Sequence, residues 1–176
     1  TAATIPCELI THPTEARYTD EHLRRFQGCP TLAITRGGRI YMGWYAGGTG
    51  EPHMDNFNLL VRSDDLGETW SKPLLVIPSD RERWVHALDI QLWTAPDGRL
   101  FVFWVQNNTE PACLGRRGFT VDGFVFYDMT HAEWVSVCDD PDADEPVFSA
   151  PRCLDKGFLR CKPLALDDGT YLNFNY

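Results

Sequence analysis

Short apolar runs separated by glycine-containing turns recur along the chain, and one arrangement of them occurs three times. It consists of an apolar run, a tight turn and an aromatic-rich second run, and it occupies residues 30–45, 89–104 and 162–174. Each turn holds Gly-Gly or Asp-Gly, dipeptides that favour hairpins because glycine adopts a positive φ at little cost. The pattern therefore predicts three β-hairpins, whose turn glycines are Gly38, Gly98 and Gly169.

The segments between these hairpins also have the pattern of strands. Residues 56–63, 123–127 and 134–138 are strand-like, whereas a helical turn is predicted only at residues 19–25. The turn glycines recur at intervals of 60 and 71 residues, somewhat more than a propeller blade of roughly 40–50 residues. The predicted fold class is all-β. A β-propeller, of which the chain would hold about three blades, is favoured over the alternative, a β-sandwich built from hairpins.

An eight-residue motif lies between the first two hairpins. Residues 63–70 match the Asp-box pattern S-x-D-x-G-x-T-W at every specified position. Asp65 can accept hydrogen bonds from the backbone of its own turn, Gly67 supplies a left-handed residue, and Trp70 is expected to pack the turn onto the sheet. A degenerate copy follows 78 residues later, with acidic residues at 139–142 and Phe-Ser-Ala-Pro at 148–151. We expect the acidic residues of both turns to be structural rather than catalytic.

Together with the Asp box, two segments resemble the bacterial sialidase-like (BNR-repeat) family: residues 30–45, with Gly-Gly-Arg-Ile-Tyr-Met-Gly-Trp-Tyr, and residues 154–169. The resemblance runs from about Arg25 to the end of the chain. It implies a six-bladed, sialidase-type β-propeller, of which this chain would supply about three blades. In such a propeller the active site is central: three arginines bind the substrate carboxylate, an Asp is the acid/base and a Tyr–Glu pair is the nucleophile. The family's nucleophile positions would fall beyond Tyr176.

The resemblance also divides the chain. Residues 1–24 are predicted to be a lead-in segment, and residues 25–176 a partial propeller truncated within a strand. Three blades would leave two unpaired sheet edges. We therefore expect the rest of the propeller to come from a missing C-terminal part or from another chain.

Composition narrows the possible partners. The net charge of -9 argues against binding nucleic acid. No apolar run reaches the length of a membrane span, and no signal peptide is visible. The six cysteines show no zinc-ligand spacing, and neither a cofactor nor a metal is predicted. Reduced, buried thiols are favoured over disulfides, which points weakly to the cytoplasm. The cysteines are Cys7, Cys29, Cys113, Cys138, Cys153 and Cys161.

Candidate catalytic residues precede the Asp box and the second hairpin. Glu51 lies 12 residues before Ser63, near the place where the resemblance expects the acid/base residue, and Asp55 is its competitor. Either carboxyl group could give and take a proton in glycoside cleavage. His86 lies just before the second hairpin and is the third candidate for proton transfer.

Polar residues near the same strand ends are candidates for binding a sugar. Gly28 occupies the position where the resemblance expects the first arginine, so that Arg25 would have to bind from a shifted position. Arg83 and Asp89 flank His86, and Lys162 stands at the equivalent place before the third hairpin. The predicted substrate-binding set is Arg25, Gln27, His53, Arg83, Asp89, Gln106 and Lys162.

These features favour an exo-acting glycoside hydrolase whose substrate is an oligosaccharide or glycoconjugate and need not carry sialic acid. Two alternatives remain open at this point. The first is a non-catalytic carbohydrate-binding propeller. The second is a polysaccharide lyase, for which His86 beside Arg83 would supply a base and a cation.

Overall fold

The fold is all-β and antiparallel, as predicted. The computed structural model describes residues 2–111, 119–121, 124–126 and 131–175. Its helical elements are the four-residue helix α1 (Ala16–Thr19) and two 3-10 turns, Ala2–Thr4 and Glu21–Leu23. The last of these lies within the helical turn predicted at residues 19–25.

The first sheet is a meander with one added edge strand. Strands β2 (Gln27–Ile34), β3 (Ile40–Ala46), β4 (Phe57–Ser63) and β5 (Leu75–Ile77) pair in sequence order. Strand β1 (Ile10–Thr11) pairs with β5 at the outer edge. The predicted lead-in segment is therefore part of the first sheet.

The second sheet repeats this meander. Strands β6 (Val85–Thr94), β7 (Leu100–Pro111), β10 (Ala132–Cys138) and β11 (Arg152–Lys156) pair in order. The end of β7 extends beyond its ladder with β10 and pairs with β9 (Phe124–Phe126), whose other neighbour is β8 (Phe119–Val121). The strand predicted at 123–127 thus belongs to a side hairpin.

A third hairpin follows, formed by β12 (Leu164–Ala165) and β13 (Tyr171–Leu172). All three predicted hairpins are therefore confirmed. Their turn glycines Gly38, Gly98 and Gly169 have φ of 90°, 98° and 84°, the left-handed conformation that favours glycine.

The main core lies between the two sheets. It joins Tyr41 and Leu60 of the first sheet to Trp104, Trp134 and Val102 of the second. Trp104 and Trp134 are direct cross-strand neighbours, and their rings stack with centroids 6.3 Å apart. Each such buried side chain contributes roughly 1.5–3 kcal/mol through the hydrophobic effect.

Apolar clusters also lie on the other two faces of these sheets. On the first sheet, Tyr18 from α1 packs over Phe57 and Val76. On the second sheet, Trp93 and Phe101 pack against Tyr171 of the third hairpin. The first sheet, the second sheet and the third hairpin are consequently stacked in series.

The Asp-box turn between β4 and β5 has the predicted hydrogen bonds. The Asp65 carboxylate accepts three hydrogen bonds. The donors are the Thr69 amide at 2.9 Å, the Thr69 hydroxyl at 2.5 Å and the Ser63 hydroxyl at 2.7 Å. These bonds lower the pKa of Asp65 to about 2, the largest effect coming from the Thr69 hydroxyl. Gly67 has φ 93°, and Trp70 keeps 41% of its surface exposed. Asp65 is thus fully occupied in stabilising the turn.

The degenerate copy has the same strand connection. In the first sheet, the Arg62 amide donates to Ser71 Oγ over 3.0 Å and Ser71 N to the Arg62 carbonyl over 2.8 Å. In the second sheet, Val137 and Ser149 form the same two bonds at 3.0 and 2.8 Å. The two sheets therefore share local connections as well as strand order.

The cysteines fit the prediction in part. Five are free thiols, and Cys7 and Cys138 are buried as expected, with Cys153 half-buried. Cys29, in the edge strand β2, and Cys161, in the segment after β11, are exposed, contrary to the prediction. Cys113 lies outside the described residues.

Candidate functional site

Three segments meet at one end of the two sheets. They are the β3–β4 loop (residues 47–56), the start of β6, and residues 157–163 after β11; we call this region the loop end. The Ala87 amide donates to the Asn56 carbonyl over 3.2 Å, and the Asn58 side chain donates to the Leu88 carbonyl over 3.2 Å. These bonds join the β3–β4 loop and β4 to the start of β6.

The β3–β4 loop folds around the fully buried side chain of Asn56. Its amide nitrogen donates to the carbonyls of Gly47 and Gly50, over 2.6 and 3.1 Å, and its oxygen accepts from the His53 amide over 2.6 Å. A buried amide with these partners fixes the loop conformation. The loop therefore holds Glu51 in a defined place.

Glu51 is exposed and hydrogen-bonded to a buried tyrosine. The hydroxyl of Tyr45, at the end of β3, donates to Glu51 Oε2 and also lies 3.5 Å from Cys29 Sγ. Burial raises the pKa of Tyr45, and its hydrogen bonds with Cys29 and Glu51 raise it further. Tyr45 therefore stays protonated and acts as a donor to the Glu51 carboxylate.

Asp89 is the buried carboxyl group of the loop end. It is 6% exposed, lies in a β-bulge of β6, and has a left-handed φ of 50° that is uncommon outside glycine. The guanidinium of Arg160 lies 3.5 Å from its Oδ2 and is half exposed. A carboxyl held in an unusual backbone conformation beside an accessible cation is typical of functional sites.

The charge of Glu51 acts on Asp89. Burial raises the pKa of Asp89, Arg160 opposes the increase, and the negative charge of Glu51 adds to it. Asp89 is consequently able to carry a proton at a higher pH than an ordinary aspartate. The negative charge of Glu51 thus reaches Asp89, although the sequence had placed these two residues in different roles.

Asp55 and His53 lie in the same loop but are engaged with other groups. Asp55 is ion-paired with Arg81, its amide donates to His53 Nδ1 over 3.0 Å, and its carboxylate lies 3.8 Å from that nitrogen. The salt bridge leaves Asp55 less suited to proton transfer than Glu51.

His86 is completely buried. Its Nε2 lies 3.3 Å from the Asn107 side-chain nitrogen, in the neighbouring strand β7. Burial lowers the pKa of His86 to about 3, and the nearby His131 and His53 add to the decrease. The ring is therefore neutral across the physiological range and shielded from a bound substrate.

Three predicted binding residues have structural partners. Arg83 Nε donates to Asp80 over 2.6 Å, and Lys162 Nζ donates to the Leu32 carbonyl over 3.1 Å. The buried side chain of Gln106 donates to the carbonyls of Ala3 and Ile5, over 2.9 and 3.0 Å. Gln106 thereby anchors the N-terminal segment instead of facing the loop end.

Arg25 and Gln27 lie at the start of the first sheet. Gln27 Oε1 accepts a hydrogen bond of 2.8 Å from Trp44 Nε1, and the side chain of Arg25 is exposed. Gly28 pairs with Tyr45 across the β2–β3 ladder. The position where the resemblance expected an arginine therefore faces a tyrosine.

Tyr45 and Arg160 were not among the predicted site residues. Tyr45 is the last residue of the aromatic run in the first hairpin, and the pattern of that run indicated only a strand. Arg160 lies just before the third hairpin, and Asp89 is the first residue of the second hairpin. These similar positions at the start of a hairpin were the sequence signal that could have identified Arg160. Neither contact could be assigned without the tertiary structure.

Neither a metal-ligating cluster nor a membrane-spanning helix occurs among the described residues. This part of the chain contains no cluster of three or more His, Cys, Asp or Glu side chains that could hold a metal ion. Within the same residues, no helix is long and apolar enough to cross a membrane.

Comparison with known proteins identifies a fold but no family. The sequence matches no family model and no curated protein. It is similar in structure to a crystal structure of a protein of unknown function from Dyadobacter fermentans, with a TM-score of 0.60 and 15% sequence identity. The match covers 94% of this chain and 48% of the other. This chain therefore spans about half the length of that protein.

Proposed function

We propose that this chain is part of a β-propeller and that its loop end is the active site of a glycoside hydrolase. The propeller is supported by the serial stacking of the first sheet, the second sheet and the third hairpin. In a two-sheet sandwich the outer face of each sheet faces water. Here both sheets are apolar on both faces, as stacked propeller blades would be.

The observation that carries the proposed activity is the pair Glu51 and Asp89. Glycosidases use two carboxyl groups in different environments, one protonated and one ionised. Asp89 is buried with a raised pKa, whereas Glu51 is exposed and accepts a hydrogen bond from Tyr45. The two groups therefore differ in the way this reaction requires.

The roles follow from these environments. Protonated Asp89 gives its proton to the glycosidic oxygen as the bond to the anomeric carbon breaks. Glu51 accepts a proton from the water that attacks this carbon, so that one water is consumed per bond cleaved. Tyr45 orients the Glu51 carboxylate. Arg160 holds Asp89 and favours its ionised form after the proton has been transferred.

The test is hydrolysis of a panel of aryl glycosides by the intact protein and by Glu51→Gln and Asp89→Asn variants. Each substitution should lower kcat by about 100-fold or more, the usual contribution of a positioned acid or base. Glu68→Gln is the matched control, because Glu68 lies in the Asp-box turn at the opposite end of β4. Turnover at the wild-type rate in both site variants would refute the assignment.

Product analysis separates the hydrolase from its alternatives. A hydrolase releases a saturated sugar, a lyase leaves an unsaturated end that absorbs ultraviolet light, and a binding protein leaves the glycan intact. The lyase has little structural support, since its proposed base His86 is buried and its proposed cation Arg83 is paired with Asp80.

A further inference from the structure

The Tyr45 side chain occupies the space beside Gly28. A Cβ atom at position 28 would lie 2.6 Å from Tyr45 Oη and 2.8 Å from its Cζ, closer than non-bonded atoms approach. Gly28 is therefore required by the tyrosine ring itself. As a consequence, no side chain at this position can reach the loop end while Tyr45 is in place.

Tyr45 is held firmly in this place. Its ring stacks on Phe26 with centroids 6.0 Å apart, and the residue is 1% exposed. Its hydroxyl lies between Cys29 and Glu51. The Tyr45 hydroxyl of β3 and the Cys29 thiol of β2 thus occupy the place where a cationic side chain could have stood.

The charges around this point are unfavourable for an anion. Glu51, Asp55 and Asp89 contribute three carboxyl groups. Two nearby cations already face acidic side chains: Arg81 is paired with the Asp55 carboxylate, and Arg160 lies 3.5 Å from the carboxyl group of Asp89. A substrate carboxylate needs a bidentate guanidinium to offset its lost hydration, and here it would have to displace Asp89 or Asp55.

We propose that the loop end selects uncharged sugars, and that Tyr45 seated over Gly28 is the specificity-determining residue that excludes a substrate carboxylate. This inference takes its reaction from the proposed function. The same selectivity should nevertheless be seen in binding, even if no reaction takes place. Sugar hydroxyl groups can donate to Glu51 and accept from Arg160, whereas a sugar acid would meet the charge of Glu51 directly.

The decisive experiment compares neutral and carboxylate-bearing sugars. Turnover of aryl glucosides, galactosides and mannosides is compared with turnover of an aryl glucuronide and an aryl sialoside. Binding of the same compounds is measured by saturation-transfer NMR, both on the wild type and on the Glu51→Gln/Asp89→Asn variant. We expect neutral sugars to be turned over, or bound, at least tenfold better than the sugar acids.

The outcomes separate this inference from the proposed function. Turnover of the acids in preference to neutral sugars leaves the hydrolase intact and overturns the inference. Selective binding of neutral sugars by the wild type without turnover supports the inference and contradicts the hydrolase. Absence of binding to both classes contradicts the inference as well.

Arg25 and Arg160 provide the strictest check. Both are exposed cations, at the start of the first sheet and at the loop end. If the wild type binds the sugar acids and either Arg25→Ala or Arg160→Ala abolishes that binding, a carboxylate subsite exists and the inference is wrong.

A pair of variants tests the role of Tyr45. Tyr45→Ala vacates the space over Gly28, and Tyr45→Ala/Gly28→Arg places a guanidinium in it. The double variant should bind the sugar acids at least tenfold better than Tyr45→Ala does, and an equal affinity would remove Tyr45 from this role. If circular dichroism shows that these variants do not fold, the wild-type comparison decides on its own.

The crowding at Gly28 has a simple control. Gly28→Ala should displace Tyr45 and weaken neutral-sugar binding, because the added methyl group clashes with the ring. Ile34→Ala, at an exposed position near the other end of β2, is the control and should bind like the wild type. Equal binding by the two variants would contradict the packing argument.

Discussion

Burial has opposite effects on the titration of Asp89 and His86, since in both it disfavours the charged form. It raises the pKa of Asp89 and lowers that of His86 to about 3. Asp89 nevertheless keeps an exposed cation beside it, while His86 faces Asn107 inside the sheet. Asp89 is therefore suited to proton transfer, and His86 to maintaining the structure near the site.

The buried histidine should make stability depend on pH. The unfolded state takes up a proton near the ordinary histidine pKa of 6.5, whereas folded His86 does so only near pH 3. The folded state thus binds fewer protons in this window, and stability is full above pH 6.5 and falls as the pH decreases towards 3. His86→Asn should flatten this slope by up to about 1.4 kcal/mol per pH unit.

Urea unfolding between pH 4 and 8 measures this effect. His22→Asn, in the exposed 3-10 turn Glu21–Leu23, is the control and should keep the wild-type slope. A slope in His86→Asn as steep as in the wild type would mean that His86 is accessible to protons in the folded state.

The sequence identified candidate site residues better than it predicted the burial and the partners of their side chains. Glu51, His86 and Asp89 were selected because they stand near strand ends, and in the structure the charge of Glu51 acts on Asp89. Whether each is exposed depends on packing between segments that are distant in the sequence, such as Arg160 against Asp89. That information is absent from local patterns, so the roles of His86 and Asp89 needed revision in the proposed mechanism.

At the scale of elements, the strand connections repeat with the same chemistry. Ser71 and Ser149 both accept from the amide of the outgoing strand over 3.0 Å, although the turns that precede them differ in sequence. The alternation of apolar runs and glycine turns predicted these strands well, because hairpins are local structures. The β8–β9 side hairpin was not foreseen, since it depends on the length of β7 beyond its ladder with β10.

The repeat leads to a paired prediction. Ser71→Ala and Ser149→Ala should each cost about 0.5–1.5 kcal/mol of unfolding free energy, because each removes one side-chain hydrogen bond to a strand amide. Ser79→Ala, before β6, is the control and should change stability by less than about 0.5 kcal/mol. Chemical denaturation measures all three, and a large loss in only one of the paired variants would argue against equivalent connections.

At the scale of the whole molecule, the main core joins the two sheets. The cluster between the sheets includes Ala3 from the N-terminal turn, Tyr41 from the first sheet and Trp134 from the second. The Tyr41 hydroxyl, fully buried, also donates to the Pro141 carbonyl over 2.6 Å, in the turn that follows β10. The two sheets should therefore unfold together, although their strands pair only within each sheet.

Tyr41→Phe tests this coupling, because it removes the hydrogen bond and leaves the ring in the core. The expected cost is about 1 kcal/mol, kept modest because the Pro141 carbonyl still accepts from Arg39 over 2.9 Å. Tryptophan fluorescence and far-ultraviolet circular dichroism should report one urea transition, with the same shift in both signals. Tyr171→Phe is the matched control, since its hydroxyl contacts Asp97 at an exposed position and should contribute less than about 0.5 kcal/mol. Two separate transitions, or a shift in only one signal, would show that the sheets unfold as independent units. The stacked sheets would then not stabilise each other.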